Sequence, residues 1–369
     1  MRLHSAVGRQ ILVGIALLGS LFGTATISTI GAAGSAGAAT PTTKYLGVFR
    51  ETTPTQIASG TTSTYGVTPA SVVWFDAWST GRAFATSEAK ALWSKGIVPI
   101  FTWEPWNPAL ALNDSGQIHL QDIMNGTWDS YIRARAAEFA ATGSPIMLRW
   151  GHEFNGNWYP WSVFANGDNP ALYVSAYRHV HDLVKDAGAT NVQWVWTFNH
   201  ESAPGDSWND AAQAYPGSAY VDWVGIDGYN WGYGPSWDPS GNHWLSFSSI
   251  YSAAYRKARS IAPNKPVTIG EIASSEDGGN KAAWIADMSD QLRSGNYPDL
   301  KLITWFDQDK EERWSGTSTA ATQTAFTAWV KESYMNGTGT ELAAVAGQYA
   351  GSTPTTPSTP AAMSRATHP

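Results

Sequence analysis

Short apolar runs rich in Val, Ile, Phe and Trp recur along the chain at 45–49, 71–76, 97–103, 145–152, 192–198, 222–229, 266–271 and 300–306. Between them lie longer segments whose apolar residues step by three and four. One carries Trp128, Ile132, Ala136 and Phe139; another Leu172, Ala176, Val180 and Leu183; a third Ile250, Ala254, Ala258 and Ile261. Such steps gather side chains on one face of a helix, and the short runs suit strands. Strands alternating with helices imply parallel strands joined by right-handed crossovers. Eight candidates are the number that closes a barrel, so the stretch from about 44 to 335 predicts an α/β fold, a (β/α)8 TIM barrel. An open doubly wound sheet would carry a Gly-rich phosphate turn after its first strand, and none follows Val48 or Phe49.

The two ends break the pattern. Arg2, His4 and Arg9 precede an apolar run from Ile11 to Gly23, then small residues through Ala39. A basic start, a short apolar stretch and an Ala-rich end predict a secretory signal peptide over 1–39, and the run is short of the ~20 residues a membrane anchor needs. The mature chain is thus expected to be secreted and free of the membrane. From Gly351 onward the sequence is Pro/Thr-rich and builds no core, so 351–369 is expected to be a disordered tail or a linker remnant. What remains, 40–350, fits one barrel domain.

Composition sharpens the surface. Charged residues make up 14 % of the 369, against about 25 % in an average soluble domain. Gly (35), Trp (20) and Tyr (15) take their place, which suits a surface that touches something neutral, polar and flat-faced. A net charge of −7 argues against nucleic acid and acidic polymers as partners. Without cysteine there are no disulfides, thiolate metal sites or cysteine nucleophiles.

Chemistry concentrates in two places. The fourth run continues as Leu148-Arg149-Trp150-Gly151-His152-Glu153-Phe154-Asn155-Gly156-Asn157-Trp158-Tyr159-Pro160-Trp161. On an extended strand Arg149, Gly151 and Glu153 would share a face, and a buried Arg149 would need a carboxylate partner. A zinc helix beginning at His152-Glu153 would need its second histidine at position 156, which is Gly, so no metal is expected there. The seventh run ends Ile269-Gly270-Glu271. Two carboxylates three strands apart on one rim can face each other across the mouth. Retaining glycosidases need such a pair ~5–5.5 Å apart. A lone strand-end glutamate is otherwise an ion-pair or rim residue.

Together these stretches resemble glycoside hydrolase family 26, whose members are mostly endo-β-mannanases. The resemblance rests on His152 to Gly156 with Trp158, Pro160 and Trp161, on the run from Tyr215 to Asn230, and on Ile269-Gly270-Glu271 with Trp305-Phe306. It implies a single catalytic barrel with Glu153 as acid/base and Glu271 as nucleophile. It further implies that His152 supports the acid/base site and that Tyr229 hydrogen-bonds the nucleophile. Arg149 is expected to help hold Glu271 ionised. No cofactor is needed for this chemistry, and the chain is expected to act as a monomer on a neutral polysaccharide.

Sugar rings present apolar C–H faces that stack on aromatic planes. Trp103 and Trp106 at the third strand, Trp158 and Trp161 after the fourth, Trp231 after the sixth and Trp305 at the eighth are therefore candidate substrate contacts, with Asn155 beside them. Trp194 and Trp196 are read as barrel packing. Related barrels also suggest a non-proline cis peptide after Trp305. One departure bears on substrate: where mannanase-type members carry a histidine after the third-strand Trp, this chain has Glu104. Glu104 is expected to contact sugar hydroxyls or to pair with a cation on the rim. Family frequency puts β-1,4-mannan first as the expected substrate; Glu104 makes mixed-linkage β-1,3-1,4-glucan the alternative, with xylan third. A Trp-rich carbohydrate-binding protein without activity is the reading from another class.

Overall fold

The computed structural model describes residues 42–350. The expected signal peptide (1–39) and the Pro/Thr-rich tail lie outside the described residues.

Eight parallel strands close on themselves: β1 (Tyr45–Phe49), β2 (Ser71–Ala77), β3 (Val98–Glu104), β4 (Ile146–Trp150), β5 (Val192–Asn199), β6 (Trp223–Asn230), β7 (Val267–Ser274) and β8 (Leu300–Phe306). Each pairs with its neighbours in chain order, and β8 closes onto β1 with Tyr45 opposite Leu302 and Phe49 opposite Phe306. Around them run α1 (Pro54–Tyr65), α2 (Thr86–Trp93), α3 (Leu120–Met124), α4 (Asp129–Ala140), α5 (Pro170–Asp186), α6 (Phe247–Ile261), α7 (Lys281–Arg293), α8 (Ala320–Val330) and α9 (Gly339–Ala350). The (β/α)8 barrel read from the apolar runs is the fold observed. Among the described residues no helix is long and apolar enough to cross a membrane.

Helix faces fall where the periodicity put them. Ile132, Ala136 and Phe139 of α4, Ala176, Val180 and Leu183 of α5, and Ile250, Ala254 and Ala258 of α6 are buried against the barrel. No α-helix joins β5 to β6; two 3₁₀ turns, Ser207–Asn209 and Ala211–Ala214, do so instead. Pro204, Gly205, Pro216 and Gly217 punctuate that segment and leave no uninterrupted helical length.

Strand alternation sorts the core into two layers. Tyr45, Val73, Val98, Ile100, Met147, Val195, Trp223 and Leu302 fill the lower barrel, where Leu342 and Val345 of α9 close it. Their sequence neighbours, such as Val72, Phe101, Leu148, Trp194 and Ile303, face outward into the helix layer. The polar residues two positions further along the inward face stand at the opposite end, the mouth.

Candidate active site

At the mouth the inward face turns charged. Thr102 of β3 lies opposite Arg149 of β4, so Arg149 points into the barrel. Its guanidinium bonds Glu271 of β7, and Nη1 donates to Asp227 Oδ1 of β6 at 3.3 Å. Burial opposes that charge, yet Asp227 and Glu271 outweigh it and hold Arg149 above its usual pKa. Asp227 itself is pushed well up, by burial first and then by Glu271, against the pull of Arg149. Sequence reasoning asked for a carboxylate partner to Arg149 and did not find Asp227. The signal was present: Asp227 lies two residues before Tyr229 and must share its face.

Glu271 reaches the mouth through an irregularity. Ile269 pairs with Ile226, but Glu271 rather than Gly270 pairs with Asp227. Against β8 the same shift appears, with Ile272 opposite Trp305. Two residues of β7 thus oppose one on either side, which is a β-bulge, a device that re-aims a side chain. Simple alternation from Thr268 would have sent Glu271 outward. Gly270 takes up the extra position, and a Cβ there would sit 2.5 Å from Asp227 Oδ1 and 2.7 Å from Arg149 Nη1. With the bulge in place, Tyr229 Oη donates to Glu271 Oε2 at 2.6 Å. His152 Nε2 lies 3.8 Å from Glu271 Oε1. Burial, and then Arg149, pushes His152 well below its usual pKa, so the ring is neutral.

Glu153 is not on an extended strand, which corrects the reading of its face. β4 ends at Trp150, and Gly151 (φ 57°) and Glu153 (φ 51°) both adopt the left-handed conformation. A non-glycine residue held there stores strain and is over-determined by its surroundings. Its backbone N–H bonds Thr197 O of β5 at 3.0 Å. Trp158 Nε1 donates to Oε2 at 2.8 Å and Asn199 Nδ2 to Oε1 at 3.0 Å. Burial, and then the charge of Glu271, pushes Glu153 from 4.5 up to about 7, while those two donors and Arg149 pull the other way. Asn199 was not singled out in the sequence. Asn155 was, as a sugar contact, but it is buried and fixes the backbone of Asn199 through Nδ2 (2.9 Å to O) and Oδ1 (2.8 Å from N).

Glu104 ends β3 on the same inward face as Thr102. It is buried, accepts from Trp106 Nε1 at 3.3 Å, and is pushed up to about 7 by burial, opposed by that bond and reinforced by Glu271. His152, Asp227 and Glu271 each offer a ligand atom within 4.8 Å of the others. The Arg149 guanidinium already sits against both acidic members of that trio, so a metal ion would crowd a second cation against a permanent one.

Residues 89–265 match the sequence profile of Glycosyl hydrolase family 26. The chain belongs to that family. Over 239 residues it is 38 % identical to a protein called Endoglucanase H from Acetivibrio thermocellus, covering 64 % of this chain and 25 % of that one. Over 97 residues it is 31 % identical to a mannan endo-1,4-β-mannosidase of Bacillus subtilis, 25 % of each. The chain thus spans about a quarter of the length of these curated relatives. Its backbone also superposes on an endo-β-1,4-mannanase of Cellulomonas fimi with a TM-score of 0.61 at 17 % identity, over 79 % of this chain and 71 % of that one, a likeness of fold.

Within this family 26 barrel the tryptophans divide by strand parity. Trp158 is 40 % exposed, and Trp106 and Trp231 are half-buried beside the mouth. Trp103, Trp161 and Trp305 are buried with no surface left for a sugar, so their expected substrate contacts are corrected. Trp103 is adjacent to inward Glu104 and therefore faces out, bonding Tyr131 Oη at 3.2 Å. Trp305 faces out against Phe326 and Trp329 of α8, with its N–H on Trp314 O at 3.1 Å. Trp161 stacks on Tyr159 at 4.1 Å and donates to His152 O at 2.6 Å, so it positions that backbone. Trp194 and Trp196 do pack outward against helix and loop residues. Ala203–Pro204 is the cis peptide among the described residues, so the bond after Trp305 is trans.

Proposed function

We propose that this chain is a secreted, retaining endo-β-glycanase with Glu271 as nucleophile and Glu153 as acid/base. The observation that carries the reading is the unequal treatment of two carboxyls at one mouth. Glu271 is bonded by Arg149, Tyr229 and, more distantly, His152, all of which favour or tolerate its negative charge. Glu153 is held at about 7 by burial and by that same charge. In the first step the Glu271 carboxylate attacks the anomeric carbon, and Glu153 gives its proton to the departing glycosidic oxygen. The resulting ester at Glu271 is uncharged, so the repulsion that added to burial in keeping Glu153 protonated is gone and its pKa falls. Glu153 then takes a proton from water, which attacks the same carbon and releases Glu271. Export is supported by the basic, apolar and Ala-rich order of residues 1–39.

For substrate, β-glucan is supported by the name of the 38 %-identical relative, Endoglucanase H, and its mixed-linkage form by Glu104 at the mouth. β-Mannan is the second reading, supported by the names of the mannosidases matched over shorter stretches. Product release by the purified protein from each pure polymer, side by side, decides between them. Release from glucan alone fits Glu104 as a specificity residue; release from mannan alone overturns the glucan preference. Silence on both with binding retained overturns the enzyme and leaves a carbohydrate-binding protein.

A further inference from the structure

After β6 the chain leaves the mouth as a small two-stranded ribbon, Gly232–Tyr233 paired antiparallel with Asn242–His243. At its tip are Tyr233 and Trp237, exposed by 57 % and 56 % respectively, more than any other large hydrophobic among the described residues. The ribbon is built. Gly234 N bonds Gly241 O at 2.9 Å, and a Cβ at Gly232 would meet Asp277 O at 2.2 Å, so the base sits tightly on the loop after β7. His243 packs on the Trp237 ring at 4.4 Å and is itself fixed by Asp238 at 3.0 Å. An indole held in a set orientation yet left open to water is costly unless something apolar covers it in use.

Continuity with the mouth identifies what covers it. Tyr229, which bonds Glu271, packs on Trp231 at 5.6 Å, and Trp231 meets Trp237 edge to face at 5.8 Å. An aromatic track therefore runs from the nucleophile's partner to the ribbon tip. We propose that the ribbon is a distal sugar platform, on which Trp237, flanked by Tyr233, stacks a neutral glycan ring beyond the two units nearest the bond being cleaved. This rests on the glycanase reading. The polar edges supplied by Asp238, Asn242 and His243 suit sugar hydroxyls, and the ribbon carries no cation that would select an acidic polymer.

The test compares wild type with Trp237→Ala and Trp237→Phe on whichever polymer the wild type degrades, and on an aryl glycoside of one disaccharide. The expected result for Trp237→Ala is a rise of about fivefold in polymer KM, with Trp237→Phe recovering most of it. Electrophoretic retardation by the same polymer in the gel should weaken in parallel. Unchanged polymer KM and retardation overturn the platform while the wild type's own turnover leaves the glycanase reading standing. Equal losses on polymer and aryl glycoside, not recovered by Phe, also overturn it, since the ribbon would then be shaping the centre. Should Trp237→Ala fail to fold, Tyr233→Ala is read in the same way.

Discussion

The two ends of the barrel interior are built by the same strands and obey opposite rules. β4 contributes Met147 to the floor and Arg149 to the mouth, two residues apart on one face. β3 likewise passes from Val98 and Ile100 to Glu104. The floor is apolar, close-packed and capped by α9, and each group there stabilises the fold by leaving water. At the mouth Glu104, Arg149, Glu153, Asp227 and Glu271 are all buried, and every one is worse solvated than in the unfolded chain. Stability comes from the floor, and the mouth spends part of it to keep carboxyls at unequal proton affinity. That division is a stability–function trade within a single cavity.

Five substitutions probe the division. The largest effect is expected from Glu271→Ala, with kcat falling at least about 10,000-fold while retardation by polymer persists. Steady-state turnover that survives removes Glu271 from the chemistry. Proton NMR of the wild-type reaction should show the first-formed product with retained β configuration.

Next, Arg149→Met and Met147→Ala test each rule in turn at successive inward positions of β4. Both should cost stability, about 3–5 kcal/mol for the broken charge cluster and about 2–5 kcal/mol for the floor cavity. Only Arg149→Met should also alter the pH profile, because it leaves Asp227 and Glu271 facing each other without a cation. Denaturant titration with pH–rate curves for both variants checks this, and a shifted profile in Met147→Ala would erase the distinction.

A smaller effect belongs to Trp158→Phe. The indole N–H stabilises the charged form of Glu153, so its loss raises a pKa already near 7. The alkaline limb of kcat/KM should move upward by about half to one unit, since a hydrogen bond is worth about 0.5–1.5 kcal/mol and one unit about 1.4 kcal/mol. A downward shift contradicts the assignment of Glu153 as the acid. Smallest is Glu104→Gln. A carboxyl raised from 4.5 to about 7 favours folding below its unfolded value and loses that advantage as pH rises through 7. The Gln variant should therefore gain a few degrees of melting temperature at pH 8 and little at pH 4. Equal shifts at both would mean Glu104 is not titrating between them.

Much of this was legible in residue order. Eight apolar runs and three helix faces predicted the barrel because both periodicities are set by backbone geometry alone. The misreadings came where geometry departs from regular periods or was not followed through. Trp103 and Glu104 are adjacent, so parity allowed only one of them to face the mouth. Glu153 was placed by extending β4 three residues past its end, into a turn whose left-handed backbone no pattern announces. Glu271 lands inward only through a bulge, and a bulge is invisible to any count of alternating positions. The α9 cap escaped notice because helical spacing does not say which surface a helix covers.

The bulge sets a tolerance limit for anyone who would redesign this protein. Position 270 is full with a hydrogen atom. One added carbon would push simultaneously on the Arg149 cation and on its buried acid, Asp227. Glycine to alanine there is the smallest enlargement a chain allows, and it would unseat Arg149, the partner of Glu271, with Glu153 and Glu271 both still present in the sequence. The step between Ile269 and Glu271 has a single permitted spelling.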